Sequence, residues 1–379
     1  MDPHRELNRT VMNTWLVTGG AGFIGSNFVV RTCAEKLAQV VNIDKLTYAG
    51  HLENLDRIKG DDQHVFLRGD ILDRGKLAQI ISQYKPQAVI HFAAESHVDR
   101  SIHNPADFLT TNVLGTAALL DAALTYWRTL EQSEAKKFRF MQISTDEVFG
   151  SLRRDEAPFT ENNAFTPNSP YAASKAAADH LVRAYHVTYG LPTLTTHCSN
   201  NYGPYQYPEK LVPLMILNAR KRLPLPIYGD GQQIRDWLHV DDHCAALLAV
   251  LEGGEPGAVY NIGGDHECTN RDLVTQICLI LDDMYPDGKP HSRLITSVVD
   301  RPGHDRRYAI DASKIKRELQ WRPKISLNEG IRRTVAWYAE REDWVEAVCR
   351  AEHEKWLTTQ YADHRDPQGK QELAGGGSS

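Results

Sequence analysis

Cysteine is scarce and never closely paired: Cys33, Cys198, Cys244, Cys268, Cys278 and Cys349 form no C-x-x-C. That pattern argues against a zinc ribbon or a dithiol redox motif, and predicts a reducing, cytoplasmic setting. Long apolar runs are missing as well, so neither a secretory leader nor a membrane span is expected. An excess of one charge sign is also lacking. The formal net charge of -6 over 379 residues gives no electrostatic reason to expect nucleic acid or a membrane surface as partner. Any anionic ligand must then be held by local basic groups. Sixteen histidines contain no H-E-x-x-H, and no metal is expected; the cluster His239-Val240-Asp241-Asp242-His243 reads as a helix start capped at Asp241. No internal repeat occurs, and residues 1–12 and 365–379, ending in Gly375-Gly376-Gly377-Ser378-Ser379, read as tails.

What is present is an ordinary globular composition, 41% hydrophobic and 24% charged, in a length suited to two domains. Short β-branched or aromatic runs at 14–18, 40–44, 65–67, 88–93, 138–145 and 193–197 alternate with helical stretches such as 107–127. This rhythm predicts an α/β fold, a doubly wound parallel sheet of the Rossmann type over residues 13–200, covered by helices on both faces. Past Asn200 the chain becomes loop-rich, punctuated by Gly203-Pro204, Pro224, Pro226, Gly229 and Gly231. A smaller α/β substrate-binding lobe is expected over 201–345, with later segments crossing back into the first.

The first strand runs into Gly19-Gly20-Ala21-Gly22-Phe23-Ile24-Gly25 and then a helix. Glycines there permit a tight turn, close backbone approach to a pyrophosphate, and close packing of helix on strand, with the helix N-terminus facing negative charge. Alone the pattern is weak. Asp44 strengthens it, standing at the end of the second strand where a carboxylate takes ribose hydroxyls and repels a 2'-phosphate. NAD is therefore favoured over NADP, a preference that Lys45 softens.

Ser144-Thr145-Asp146-Glu147 ends the fifth strand, the edge of an open α/β sheet where ligands bind. Tyr171 and Lys175 stand four residues apart on an alanine-rich helix and share a face. An ammonium beside a phenol is expected to lower its pKa towards the working pH. Tyr-x-x-x-Lys is common by itself and gains meaning only behind the dinucleotide turn.

With these stretches the chain resembles the extended short-chain dehydrogenases/reductases, and within them the dTDP-glucose 4,6-dehydratase family. The likeness runs from Thr18 to about Tyr338. It is carried by residues 18–25, 41–50 (VNIDKLTYAG), 93–102 (AAESHVDRSI), 144–150 (STDEVFG), 171–175, 198–205 (CSNNYGPY), 234–240 (IRDWLHV) and 300–311 (DRPGHDRRYAID). Phe149 departs from it, many relatives having Tyr there.

The resemblance implies that Tyr171 takes the proton of a sugar 4-hydroxyl while NAD takes the C4 hydride, with Thr145 and Lys175 shaping the phenolate. Glu147 then abstracts the C5 proton, Asp146 protonates the departing C6 hydroxyl, and the hydride returns to C6. It assigns Gly19, Gly22, Phe23, Ile24, Gly25, Asp44, Lys45, Leu46, Thr47, Asp70, Ile71, Ala93, Ala94, Ser96, Thr111, Tyr171, Lys175 and Asn201 to the cofactor. To a nucleotide-sugar it assigns Ser96, Thr145, Asn200, Lys210, Leu211, Pro226, Tyr228, Arg235, Asn270, Arg301 and His304, the two arginines suiting a diphosphate. A homodimer built on the helices around 107–127 and 171–189 is also implied. Competing readings are a UDP-sugar 4,6-dehydratase, or a 4-epimerase or decarboxylase lacking the Asp146 acid, and a non-enzymatic NAD sensor.

Overall fold

The computed structural model describes residues 13–286 and 288–349; the tails read at 1–12 and 365–379 lie outside them. The chain builds β1 (Thr14–Thr18), α1 (Phe23–Ala34), β2 (Gln39–Asp44), β3 (His64–Arg68), α2 (Arg74–Tyr84) and β4 (Ala88–His91). It continues through α3 (Val98–His103), α4 (Pro105–Phe108), a π-helical turn (Leu109–Gly115), α5 (Thr116–Trp127), α6 (Gln132–Lys137), β5 (Arg139–Thr145), α7 (Pro170–Tyr189) and β6 (Thr193–Cys198). The second part adds β7 (Asn200–Tyr202), α8 (Leu211–Arg220), β8 (Leu225–Tyr228), β9 (Ile234–His239), α9 (Val240–Gly253), β10 (Val259–Ile262), β11 (Glu267–Thr269), α10 (Asn270–Met284) and β12 (Ile295–Val298).

Seven parallel strands form the main sheet in the order β10-β6-β5-β4-β1-β2-β3. This is the doubly wound α/β fold expected from the strand–helix rhythm. From β1 the chain winds to one side through β2 and β3, then returns to place β4 on the other side. The crevice at the carboxyl ends of β1 and β4 is thus the point where strand order reverses, the place for a ligand in such a sheet. The expected strand at 88–93 stops at His91, because Phe92 and Ala93 turn into this crevice.

Apolar strands need cover on both faces. One face packs Trp15, Val17 and Phe28 with Leu247, Tyr260 and Trp321. The other packs Leu16, Ile43 and Phe140 with Leu77, Leu119 and Val182. Burying one such side chain contributes roughly 1.5–3 kcal/mol. Residues from beyond 200 therefore complete the first core, and β10 completes the sheet. A separate core of Tyr202, Ile216, Ile277 and Trp344 holds the smaller lobe, where β11-β9-β7 and β12-β8 form two small sheets.

Two local departures concern the site. The helical stretch expected at 107–127 contains the π turn, and Pro105–Trp127 is 23 residues long and holds an 18-residue window of mean hydropathy 1.3. By length and composition it is apolar enough to cross a membrane, contrary to the expectation that no such run exists. Half of it is buried inside this protein instead, since α5 packs against α2 and α7. The cap of α9 is His239, not Asp241: His239 Nδ1 accepts from the Asp241 N–H at 3.2 Å, and the helix already starts at Val240.

Helix α1 explains why Gly25 is glycine. A Cβ there would stand 2.3 Å from the Gly19 carbonyl oxygen and 2.9 Å from Gly20 Cα, both backbone atoms. Gly25→Ala is expected to lower stability by about 1–3 kcal/mol, as forced overpacking does, read as a lower urea midpoint with unchanged slope.

Candidate active site

The crevice opens into a cavity of about 310 Å³. Gly19 stands at its floor with φ +74°, a left-handed turn that leads β1 towards α1, and its N–H donates to the Ile43 carbonyl at 2.9 Å. A Cβ on Gly19 would lie 2.5 Å from the Ala93 nitrogen, so only a bare backbone lets the β1 and β4 ends meet. Gly22 caps α1 without any side-chain bond, leaving the first-turn N–H groups of this helix to the cavity.

Gly19, Gly22, Phe23, Ile24, Gly25, Asp44, Lys45, Thr47, Asp70, Ile71, Ala93, Ala94, Ser96, Thr111, Tyr171, Lys175 and Asn201 all line the cavity. Leu46 does not. Its backbone is turned into the left-handed region (φ 58°) so that its N–H reaches Asp44 Oδ1 at 2.8 Å. The other oxygen, Oδ2, accepts from Ala21 N at 2.9 Å, which fixes the glycine turn against β2. A carboxylate has about four acceptor positions, so Asp44 keeps capacity for ribose hydroxyls. Lys45 is engaged with Asp70 at 2.7 Å, which draws it away from the role of phosphate partner.

At the other end of the cavity, Thr145 ends β5, Asp146 and Glu147 follow it, and all three line the cavity with Tyr171 and Lys175 of α7. Helix α7 starts here because Ser169 accepts from Ala172 N at 3.1 Å and Pro170 fits the first turn; Gly190 ends it with φ 76°. The Thr145 hydroxyl acts on the Tyr171 phenol to favour its ionised form, and Phe108 meets the phenol ring edge-on, 6.3 Å between centroids. Lys175 Nζ donates to the Ile143 carbonyl at 2.7 Å. The π turn brings Asn112 into range of two partners: it donates to the Glu95 carbonyl at 2.9 Å and Ser174 Oγ at 2.8 Å, tying the loop after β4 to α7.

The electrostatics separate the two acids. Burial, then Glu147 and Asp236, hold the Asp146 carboxyl well above the usual carboxylate range. Glu147 is raised as well, chiefly by burial, but Arg301, Arg235 and Lys210 oppose the shift. Asp146 is buried with Oδ2 lacking any hydrogen-bond partner among the described residues, while Glu147 is half-buried. Both carboxyls are thus raised, and three cations oppose the shift of Glu147. The phenol differs from expectation. Burial and then Glu147 hold Tyr171 well above its ordinary value, and the Thr145 hydroxyl opposes them only in part.

Comparison with known proteins fits this geometry. The family described as GDP-mannose 4,6 dehydratase matches residues 16–334. A dTDP-glucose 4,6-dehydratase from Xanthomonas campestris pv. campestris is 54% identical over 339 residues, covering 89% of this chain and 96% of the relative. The chain belongs to the dTDP-glucose 4,6-dehydratase family. A solved dTDP-glucose 4,6-dehydratase from Streptomyces venezuelae, with NAD and TYD bound, superposes with a TM-score of 0.80 at 46% identity, covering 88% of this chain and 99% of that one. A UDP-glucose 4-epimerase from Thermotoga maritima, solved with UDP-glucose, shares the fold at 30% identity and a TM-score of 0.75, covering 86% and 99%.

Of the residues assigned to a nucleotide-sugar by likeness to the dTDP-glucose 4,6-dehydratase family, Ser96, Thr145, Asn200 and Lys210 line the cavity. Leu211, Pro226, Tyr228, Arg235, Asn270, Arg301 and His304 stand outside it. They belong to the smaller lobe, on α8, β8, β9, α10 and the loop after β12. Two of them reach the reacting end electrically, since Arg235 and Arg301 both act on Glu147. Arg301 is paired with Asp99 at 3.1 Å, and Asp99 also accepts from the Tyr228 hydroxyl at 3.3 Å. Arg235 donates to the Ile234 and Asp305 carbonyls and lies over the Tyr308 ring at 4.2 Å.

Sequence reasoning passed over Glu95, Cys198, Gln206, Tyr207 and Glu209, which line the cavity too. Glu95 and Cys198 lay inside quoted stretches, and only strand ends and loop paths in space distinguish them from their neighbours. Among the described residues no group of three His, Cys, Asp or Glu side chains stands ready to hold a metal ion.

Proposed function

We propose that the chain is a dTDP-glucose 4,6-dehydratase that works with tightly held NAD, converting dTDP-D-glucose to dTDP-4-keto-6-deoxy-D-glucose and water. The observation that carries this reading is the adjacent pair Asp146 and Glu147, only the second of them with three cations opposing its shift, beside Tyr171 in the cavity that begins at the glycine turn. An epimerase has no need of two such carboxyls. The residues present suit NAD: the bare Gly19–Ala93 approach and the first-turn N–H groups of α1 would hold its pyrophosphate, and the Asp44 carboxylate its ribose. When bound, NAD supplies a reversible hydride acceptor at C4 and donor at C6.

The protein side chains do the proton work. Tyr171, beside Thr145 and as the phenolate that the Lys175 ammonium favours, takes the 4-hydroxyl proton and becomes the phenol. Formation of the 4-ketone acidifies C5, whose proton passes to Glu147 among its cations and is given back to C5 once the hydride has reached C6. Asp146 gives its proton to the C6 hydroxyl as water leaves. Enclosure by the cavity walls keeps bulk water from the unsaturated sugar.

The test is to offer dTDP-glucose, UDP-glucose and GDP-mannose separately and follow each hexose by mass. Loss of one water from dTDP-glucose in preference to the others is expected; inversion at C4 without water loss would replace this reading with epimerisation.

Assembly follows from the apolar helix. Leu109 (52% exposed), Leu114 (58%) and Val187 (65%) present apolar surface to solvent on neighbouring helices that Tyr185 and Asp121 tie together. A second copy of the chain is the proposed cover, as a homodimer. Light scattering is expected to give twice the 42.7 kDa chain mass, and Leu114→Glu combined with Val187→Glu to give the single-chain mass. The six cysteines are all free, which supports a reducing, cytoplasmic setting.

A further inference from the structure

Helix α7 is fastened to β5 at two adjacent residues. Lys175 reaches the Ile143 carbonyl at 2.7 Å. One turn later, Asp179 Oδ2 accepts from Ser144 Oγ at 2.6 Å and lies 3.2 Å from Nε2 of His197 on β6. Asp179 is only 5% exposed, and its second oxygen, Oδ1, has no hydrogen-bond partner among the described residues. Burying a carboxylate with half its acceptor capacity unused is costly unless its charge is balanced nearby. Lys175, four residues back on the same helix face, is the cation that can balance it, together with His197 when that ring is protonated.

The rest of the surroundings cannot take over that task. His91 of β4 faces the ammonium, but burial and Lys175 itself keep the ring neutral, its pKa lowered to about 3. Cys198 of β6 is a thiol pushed up to about 12, first by burial. Tyr171 carries a charge only as the phenolate and is a neutral phenol once it has accepted its proton. Burial pulls Lys175 down, and Asp179 leads the groups that oppose it.

We propose that Asp179 is a positioning residue for the reaction: anchored by Ser144 and His197 behind the site, its carboxylate keeps the buried Lys175 side chain an ammonium while Tyr171 cycles between phenol and phenolate. The proposal rests on the dehydratase reading. Asp179 touches neither sugar nor cofactor in this arrangement, and acts only through the charge of its neighbour.

The experiment isolates C4 oxidation in the NAD-loaded protein, using dTDP-6-deoxyglucose. This sugar lacks the hydroxyl to be expelled, so the hydride leaves C4 for NAD, the O4 proton goes to Tyr171, and the reaction stops at the ketone. Reduced cofactor is read by its near-ultraviolet absorbance across pH. With Asp179→Asn, the alkaline limb is expected to move to lower pH by roughly one unit or more, the scale of a nearby opposite charge; Asp179→Glu is expected to restore it. Asp179→Ser is a second neutral variant should Asn impair folding, monitored by circular dichroism. A folded neutral variant whose alkaline limb coincides with the parent's overturns the proposal, as does a Glu variant displaced as far as Asn. If the parent itself neither reduces its cofactor with this sugar nor dehydrates dTDP-glucose, it is the dehydratase reading that fails.

Discussion

Asp146→Asn is expected to lower overall dehydration by about 10²–10⁴-fold, the range for loss of a general acid, while C4 oxidation proceeds close to the parent rate. Reduced cofactor should then accumulate during a single turnover of dTDP-glucose; equal slowing of both steps would contradict the role of the acid. The pH dependence has a definite sign. In the proposed mechanism Asp146 acts protonated, and its pKa is held well above the carboxylate range by burial and Glu147, so elimination is expected to persist to higher pH than an ordinary carboxyl allows and to fail as pH rises through that value. Glu147 works ionised with its own pKa raised, so activity also falls as pH drops through that value. A carboxyl whose pKa is higher folded than unfolded costs stability once pH exceeds its unfolded value. The same Asn variant is therefore expected to melt at a higher temperature than the parent at neutral pH, and at nearly the same temperature well below the unfolded carboxyl range.

Tyr171→Phe is expected to remove the first step and everything after it, a loss of about 10²–10⁴-fold in turnover with no reduced cofactor seen at any time. That contrast with Asp146→Asn is what stopped-flow absorbance would record. The ring itself is well supported by Phe108, so the variant should bind NAD and nucleotide-sugar as the parent does. An intact oxidation rate in the Tyr171→Phe variant would transfer the base role to another group.

Most of the sheet was legible because strand periodicity and glycine punctuation are local signals. The stretch 14–18 is β1 to the residue, and 138–145 begins one residue before β5. Residues placed at strand ends by motif, such as Asp44, Asp70 and Thr145, meet in one cavity since parallel strands all end on the same edge. The smaller lobe was less legible. Where Arg235, Asn270 and Arg301 stand depends on how long loops fold back, and spacing along the chain does not encode that path. The elevated pKa of the Tyr171 phenol was not legible either: an i, i+4 pattern shows the ammonium as a neighbour but not the depth at which both are buried.

The late return of β10 has a consequence for how the molecule breaks and how it evolves. Severed at residue 200, the amino-terminal piece would keep β6 as a raw border, its backbone groups bare on the side where Val259–Ile262 now pairs. The two halves are thus stitched into one cooperative melting unit. Recombination that swaps one whole substrate lobe for another would have to import a matching border strand, which leaves exchange of individual loops as the easier path to a new sugar.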